Sequence, residues 1–290
     1  MRTNRLDSIR RLAILLPLGL IVACGGQPTR VVEIAGTPRA TSAAPAPLPK
    51  NPEGPRAVPG DRLSRAAAGV EPGTTLGAVV YDRTTGTSPV EYNASRPFSS
   101  ASLVKLLIAI DVLEQGAGAA DRERVARMLT LSDDDLASMF WVRQGGPELV
   151  TRMSSELGLG GVRPPAVSGQ WGEVVVTPRD VVSIYRAVLD LAPADRSLIV
   201  DALAEAPRHA ADGFDQHFGI PDGLDAEWAV KQGWGSNDHA MVLHSTGLAG
   251  PRFRYVVVLL TEHPLDVDWT TAADSVTEAA ASMNGQLPGL

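Results

Sequence analysis

The spacing of apolar residues along the chain predicts strands on either side of a long helical segment. Residues 75–82 contain the run Leu-Gly-Ala-Val-Val-Tyr, which has the length and composition of a buried strand. Residues 89–92 follow after a Thr- and Gly-containing turn, so the two segments predict a hairpin. Thr177 and Pro178 have the residue types of a helix cap and first turn. The predicted helices are 63–68, 122–129, 135–142, 147–157, 178–191, 195–205 and 270–284, and the later strands are 228–232, 240–245 and 253–261.

Residues 99–113 predict a helix that is apolar on nearly every side but carries Lys105. A helix of this kind is buried against other elements. Ser99 or Ser100 can cap it, which places Ser102 in the first turn and on the same face as Lys105. Burial disfavours the ammonium form of lysine, so a neutral Lys105 could take the proton of the Ser102 hydroxyl. A lysine with its stem along apolar surface and its amine in water explains the same pattern without chemistry.

The order of these elements indicates an α+β fold. A hairpin, a set of helices, three strands and a last helix predict an antiparallel sheet packed with N- and C-terminal helices, as a two-layer or three-layer sandwich with an all-helical subdomain. We expect one domain over residues 61–290. Its sheet part comprises residues 61–100 and 220–290, and its helical part comprises residues 101–219.

The first residues of the chain have the pattern of an export signal. Arginines precede the apolar run 12–23, which is too short to span a bilayer and ends directly before Cys24. Residues 1–23 resemble a bacterial lipoprotein signal, and the resemblance implies a lipidated Cys24 and attachment to the exported side of a membrane in the cell envelope. A secretory signal with a chance cysteine is the alternative. Residues 24–60 are rich in Pro and Ala and predict a tether.

Composition narrows the chemistry that the chain can carry. Removal of four arginines and one aspartate with residues 1–23 takes the formal charge from −7 to −10, which argues against nucleic acid as a partner. Cys24 is the only cysteine, so an intrachain disulfide, a metal–thiolate cluster and a cysteine nucleophile are excluded. The histidines show no metal-binding pattern, and we expect neither a metal nor a cofactor.

Lysine is scarce, and this strengthens the chemical interpretation of Lys105. The chain has 26 Lys and Arg residues, but only Lys50, Lys105 and Lys231 are lysines. Lys50 lies in the predicted tether. An arginine cannot lose its proton at ordinary pH, whereas a lysine can. The use of lysine at positions 105 and 231 therefore indicates sites that need an amine able to become neutral.

Three motifs stand in order along the chain: Ser102-Leu103-Val104-Lys105, Ser132-Asp133-Asp134 and Lys231-Gln232-Gly233. Together they resemble the Ser-x-x-Lys, Ser-Asp-Asn and Lys-Thr-Gly set of serine β-lactamases and penicillin-binding proteins. The resemblance covers residue 63 to the C-terminus, and the surrounding sequence is most similar to class A β-lactamases. It implies the β-lactamase/transpeptidase-like fold. Further landmarks are Phe98, Gly145-Gly146-Pro147 and Thr177-Pro178.

The resemblance implies a role for each motif residue. Ser102 would be the acylated nucleophile, Lys105 its base, and Ser132 the group that passes a proton to the leaving nitrogen. Lys231 would keep Lys105 neutral and orient a substrate carboxylate. The backbone N–H groups of Ser102 and Trp234 would form the oxyanion hole. Residues expected to contact substrate are Asp134, Gln232, Gly233 and Trp234, with Trp171 at the same site.

The chain departs from the family pattern at several positions, and these departures predict that it lacks some of the family's substrate-binding and deacylating groups. Asp134 replaces an asparagine, and Gln232 replaces a hydroxyl residue that would bind a substrate carboxylate. The segment between Ser102 and Ser132 is short for the family. Residues 160–171 contain no carboxylate where class A enzymes carry the deacylating glutamate, and we expect Glu173 to pair with Arg163 instead.

The predicted function is that of an exported, lipid-anchored serine acyl-transfer protein with slow deacylation. Its expected ligands are D-alanyl peptides of the cell wall or β-lactams. The sequence leaves open whether the site is active. One alternative is a catalytically inactive lipoprotein of this fold that serves as a binding or scaffolding module, and another is a small-ester hydrolase of the same superfamily.

Overall fold

An antiparallel five-stranded sheet organises residues 59–290, the part of the chain that the computed structural model describes. The first two strands, β1 (Thr75–Asp82) and β2 (Thr87–Tyr92), form the predicted hairpin. The last three are β5 (Trp228–Ser236), β6 (Met241–Ala249) and β7 (Tyr255–His263). The strand order is β2-β1-β7-β6-β5, so the chain returns to pair β7 with β1 and leaves β5 at an edge.

Helices lie on both faces of this sheet. The N-terminal helix α1 (Gly60–Val70) packs beside the C-terminal helix α9 (Trp269–Ala281). The other face is covered by the helical segment between β2 and β5, which also contains a small two-stranded sheet of β3 (Phe98–Ser99) and β4 (Val175–Val176). The remaining helices are α2 (Val104–Glu114), α3 (Ala119–Thr130), α4 (Asp134–Arg143), α5 (Pro147–Leu157), α6 (Pro178–Asp190), α7 (Pro193–Ala204) and the short α8 (Ile220–Gly223).

Side chains of the central strands alternate between the two faces of the sheet, and each face contributes to its own hydrophobic core. Val79 and Val258 point into the core shared with α2 to α7, whereas Ala78 and Val257 point into the core shared with α1 and α9. Successive side chains of a strand lie on opposite faces, so a strand buried on both faces reads as a continuous apolar run. This is the reason for the unbroken run in β1, and the three layers confirm the predicted α+β fold.

The predicted helix over residues 99–113 is confirmed in its body and wrong at its start. Every residue from Val104 to Leu113 is buried. The chain reaches α2 through β3 and a 3₁₀ turn, Ala101–Leu103, with Ala101 in the left-handed region at φ 45°. Neither Ser99 nor Ser100 caps the helix: Ser99 Oγ donates to Glu173 and Ser100 Oγ to the Ala101 carbonyl.

Most other elements lie where the sequence places them. The strand 75–82 and the helix 147–157 have the predicted bounds, and Thr177 caps α6 with a capping box. The strands β5 and β6 extend four residues beyond their predicted ends. The predicted signal, residues 1–23, and the tether as far as residue 58 lie outside the described residues. Within residues 59–290, no helix combines the length and apolar character needed to cross a membrane.

Candidate active site

Four side chains from separate elements meet where the helical layer borders the edge strand β5. Lys105 Nζ lies 2.9 Å from Ser102 Oγ and 3.1 Å from Ser132 Oγ. Lys231 Nζ lies 2.9 Å from the same Ser132 Oγ. The structure therefore links the two lysines through Ser132 and places the Ser102 hydroxyl at one end of a continuous chain of polar atoms.

Local structure explains how these residues reach one another. Ser102 belongs to the 3₁₀ turn and Lys105 to the first turn of α2, so their spacing of three brings them to one face. Ser132 precedes α4 in the left-handed region at φ 52°, and its backbone carbonyl also accepts a hydrogen bond from Lys105 Nζ at 2.7 Å. Lys231 projects from β5, and its own carbonyl accepts from Thr246 Oγ1 at 2.7 Å.

Gly233 allows β5 to approach the Ser102 turn closely. A Cβ atom at this position would lie 3.1 Å from the Ser100 carbonyl oxygen and 3.3 Å from Leu103 Cγ. A side chain at this position would require these neighbours to shift by a few tenths of an ångström. Gly233 thus lies beside the Ser102 turn, where the absence of a side chain permits the close approach of the strand, and its expected contact with substrate stays a prediction.

Both lysines are removed from solvent, with 0% of Lys105 and 1% of Lys231 exposed. Burial lowers the pKa of Lys105, against the opposing effect of the nearby carboxylate of Asp134. Burial also lowers the pKa of Lys231 well below its usual value, and repulsion from Lys105 adds to this effect. The two amines thus have the surroundings that favour loss of a proton.

Asp134 brings a negative charge directly to this pair. Its Oδ1 accepts a hydrogen bond from Lys105 Nζ at 2.5 Å, while 64% of its side chain remains exposed. Its neighbour Asp133 has a structural role, since it caps α4 through the Leu136 N–H and pairs with Arg127. Asp135 lies exposed in the first turn of α4.

A cavity of about 230 Å³ opens above Ser102. Trp171 and Trp234 line it, and the centroids of their rings lie 5.0 Å and 5.8 Å from the Nζ atoms of Lys105 and Lys231 respectively. Trp171 Nε1 donates to Ser138, and Trp234 Nε1 donates to Asp212. Both indoles are therefore fixed in orientation at the mouth of the site.

The expected pairing of Glu173 with Arg163 is wrong. Glu173 lines the cavity, where its Oε2 accepts hydrogen bonds from Ser99 Oγ at 2.9 Å and Asn237 Nδ2 at 3.1 Å. Arg163 instead pairs its backbone with Val175 and donates from its guanidinium to the Gly161 carbonyl. The turn Trp171–Glu173 directs the glutamate inward, so the loop does bring a carboxylate to the site.

Gln232 does not face the cavity, so the expectation that it contacts substrate is wrong. Adjacent residues of a strand point to opposite faces, so Lys231 faces Ser132 while Gln232 faces the other core. Its Nε2 donates to the carbonyls of Gln216 and Phe218, and its Oε1 is buried without a hydrogen-bond partner among residues 59–290. Gln232 therefore anchors the segment before α8.

Three residues that contact the site were not predicted from the sequence. Asn237 holds Glu173 from the turn after β5, Asp212 binds the Trp234 indole, and Thr246 supports the Lys231 backbone. Each acts through a contact distant in sequence. In the described part of the chain, no group of His, Cys, Asp and Glu residues has an arrangement that could hold a metal ion.

Comparison with known proteins identifies the family. Residues 61–124 match the model of a family described as "Beta-lactamase enzyme family". A protein of Mycobacterium tuberculosis and Mycobacterium bovis named "Putative lipoprotein LppW" is 36% identical over 229 residues, which cover 74% of this chain and 72% of that protein. The chain belongs to the serine β-lactamase and penicillin-binding protein-like superfamily.

Solved structures of this superfamily share the fold at low sequence identity. The β-lactamase of Streptomyces albus G matches with a TM-score of 0.58 and 22% identity, covering 76% of this chain and 98% of that one. The structure of PBP-A matches with a TM-score of 0.61 and 18% identity, covering 79% and 97%. These likenesses confirm the β-lactamase/transpeptidase-like fold and leave the chemistry to the site itself.

Proposed function

We propose that this protein transfers acyl groups through a covalent intermediate on Ser102. The observation that carries the proposal is the 2.9 Å contact between Lys105 Nζ and Ser102 Oγ, made by a fully buried amine whose pKa is lowered by burial. A nucleophile and a base within hydrogen-bond distance form the arrangement that activates a serine hydroxyl.

The step can be written on the residues of the site. The Ser102 oxygen bonds to the carbonyl carbon of the substrate, and its proton passes to neutral Lys105. The bond from that carbon to the leaving nitrogen then breaks. Ser132, which touches both lysines, gives its proton to the nitrogen and regains one from Lys105. Lys105 ends neutral, and the acyl group remains on Ser102.

The proposed ligands are D-alanyl peptides of peptidoglycan or β-lactams, in keeping with the superfamily. The relative LppW is named a lipoprotein, and this supports a lipidated Cys24 that holds the chain at a membrane of the cell envelope. Slow deacylation is part of the proposal, because Glu173, the carboxylate that the loop 160–173 brings to the cavity, is engaged through Oε2 by Ser99 and Asn237.

Labelling of the full-length protein with a fluorescent penicillin tests the proposal. We expect a covalent adduct that survives denaturation and persists after free penicillin is removed. The Ser102→Ala variant should give no adduct, because it lacks the attacking oxygen. Ser155→Ala, which removes an exposed hydroxyl of α5, is the matched control and should label normally. A folded protein that gives no adduct with penicillin or with activated esters would contradict acyl transfer.

The ion pair of Lys105 with Asp134 favours a second candidate, an inactive binding module of the same fold. A carboxylate at hydrogen-bond distance favours the ammonium form of lysine, which cannot act as a base. In that case, the wild-type protein and Ser102→Ala would bind a peptidoglycan peptide equally well. A loss of about tenfold in the variant, or about 1.4 kcal/mol, would argue against this role.

A further inference from the structure

We propose that a second binding site beside the Ser102 cavity binds the sugar chain to which a cell-wall peptide is attached. The site, here named the aromatic pocket, is lined by the rings of Phe214, Phe218 and Trp269. The inference rests on the proposed function, because it extends the ligand of the Ser102 site from a peptide to a peptide that is still joined to polysaccharide.

The aromatic pocket is a cavity of about 260 Å³ between α9 and the segment 214–222. One wall is a face of α9 whose residues recur at helical spacing: Thr270, Ala273, Asp274 and Thr277. Trp269, at the start of α9, is 38% exposed, and its ring meets the Phe214 ring edge to face with 5.6 Å between the centroids. Aromatic walls with a few polar groups are the usual lining of a ligand site.

A stack of two aromatic rings joins this pocket to the Ser102 cavity. Trp234 lines the Ser102 cavity and Phe214 lines the aromatic pocket, and their rings lie 12° from parallel with the centroids 4.8 Å apart. Asp212 fixes both residues, because its Oδ1 accepts from the Phe214 N–H at 2.9 Å and its Oδ2 accepts from Trp234 Nε1 at 3.0 Å. A ligand bound at Ser102 can therefore continue over Trp234 into the aromatic pocket.

The chemistry of the aromatic pocket fits a sugar chain. A pyranose ring has an apolar C–H face, which packs against aromatic rings, and hydroxyl groups at its edge, which donate hydrogen bonds. Ionised carboxylates accept hydrogen bonds and donate none. Asp215, Asp222 and Asp274 line the pocket and supply acceptors of this kind. The rings and the carboxylates together match the two kinds of surface that a sugar presents.

The ion pairs at the pocket favour a neutral ligand over a cation or an apolar partner. Arg208 pairs with Asp215 at 3.0 Å and with Asp222 at 2.9 Å. An ammonium group would compete with this guanidinium for the two carboxylates, whereas a hydroxyl group can add a hydrogen bond to each. A wholly apolar occupant would remove the carboxylates from water without replacing their hydrogen bonds, which is costly.

A matched pair of sugars tests recognition by the pocket without chemistry. The neutral probe is the tetramer of β-1,4-linked N-acetylglucosamine, and its deacetylated form carries ammonium groups in place of the acetamido groups. Each is titrated into the full-length protein by calorimetry. We expect saturable binding of the neutral tetramer. The absence of such binding would overturn the inference, as would tighter binding of the cationic tetramer that Trp269→Ala abolishes, because this would identify a cation site.

Variants test whether the sugar occupies the aromatic pocket. Trp269→Ala should weaken binding of the neutral tetramer about tenfold, or by about 1.4 kcal/mol, because it removes the exposed ring. Asp274→Ala, which keeps the rings and removes an exposed acceptor, should weaken it as well. Leu265→Ala is the matched control, since it removes an exposed apolar side chain from the loop before α9, and it should bind as the wild type does. Circular dichroism checks that each variant is folded. Unchanged affinity in both pocket variants would overturn the inference.

Protection of Ser102 tests whether one ligand occupies both sites. A peptidoglycan peptide that ends in D-alanine, either free or attached to its disaccharide, competes with fluorescent penicillin for the full-length protein. We expect the disaccharide form to protect Ser102 at about a tenfold lower concentration, and Trp269→Ala to remove this advantage. Equal protection by the two forms would overturn the inference. Labelling without a competitor tests acyl transfer separately, because penicillin carries no sugar.

Discussion

At the scale of single residues, Lys105 is subject to two opposing influences. Complete burial favours the neutral amine, and the Asp134 carboxylate at 2.5 Å favours the ammonium. The reactivity of Ser102 depends on which form predominates at a given pH. Because Asp134 lies at the solvent-exposed mouth of the site, the balance can be changed by one substitution that does not disturb the core.

The Asp134→Asn variant should shift the pH dependence of acylation. The rate rises with pH as Lys105 loses its proton, and Asp134 raises the pKa of Lys105, so removal of the charge should move the rising limb to lower pH. The rate constant for labelling by penicillin, measured across pH, checks this. Asp135→Asn should leave the limb in place. If the rising limb of the rate moves to higher pH in Asp134→Asn, the carboxylate does not control the protonation of Lys105.

Sequence reasoning reaches only part of this site. The proximity of Ser102 and Lys105 follows from helical spacing, which is local and was predictable. Glu173 points into the cavity because of its contact with Asn237, and Gln232 points away from the cavity into the other core because of its contacts with the Gln216 and Phe218 carbonyls. Such contacts join distant parts of the chain, so no pattern within either segment could have revealed them.

At the scale of elements, the start of α6 fixes the loop that forms one wall of the cavity. Thr177 Oγ1 donates to Asp180 Oδ2 at 2.6 Å and accepts from the Asp180 N–H at 3.2 Å. The Asp180 carboxylate also accepts from the Gly161 N–H, and a Cβ at Gly161 would collide with it. The capping box thus holds both ends of the segment that carries Trp171 and Glu173.

The Thr177→Ala variant should lower the free energy of unfolding by about 1 kcal/mol, because the cap of α6 is lost. Denaturant unfolding followed by circular dichroism measures the change. Ser183→Ala is the matched control: its hydroxyl donates only within α6, to the Arg179 carbonyl, and its loss should have little effect. An equal loss of stability in both variants would contradict a specific role for the cap.

The helix and strand predictions succeeded where local signals are strong. The bounds of β1 and α5 follow from an apolar run and from a Pro-started amphipathic pattern. The start of α2 was misplaced because Ser99 pairs with Val175 in β3 and β4, and this pairing removes Ser99 from the helix. A two-residue strand that exists only through a distant partner leaves no trace in its own sequence.

At the scale of the whole molecule, two buried histidines tie the sheet to the elements around it. His244 Nδ1 accepts from the Thr261 N–H, so the neutral ring carries its proton on Nε2 and donates it to the Ser99 carbonyl. His263 contacts Thr74 and Thr261. Burial lowers the pKa of each histidine to about 4 from an ordinary value of 6.5. Both rings are therefore neutral in the folded protein near neutral pH.

Stability should fall as the pH is lowered from 6.5 toward 4. In this range, the unfolded chain binds protons at these histidines and the folded protein does not, so the free energy of unfolding decreases with falling pH. The loss is about 3 kcal/mol for each histidine. Denaturant unfolding at a series of pH values should show this slope, and His244→Gln should make it shallower.

The exposed His239 provides the control for this slope. His239→Gln should leave the pH dependence of stability as it is in the wild-type protein. A slope that His244→Gln does not change would assign the acid sensitivity to other groups.

The two lysines of the domain can serve as chemical probes of the cleft between the helical layer and β5. Lys105 and Lys231 are the lysines of residues 59–290, and both are buried. Reagents that modify amines can reach them only when the helical layer separates from β5. Burial favours the nucleophilic neutral form of both amines, so chemical modification should follow each opening promptly. Mass spectrometry of labelled Lys105 and Lys231 peptides would thus report the opening frequency of the cleft in the native protein.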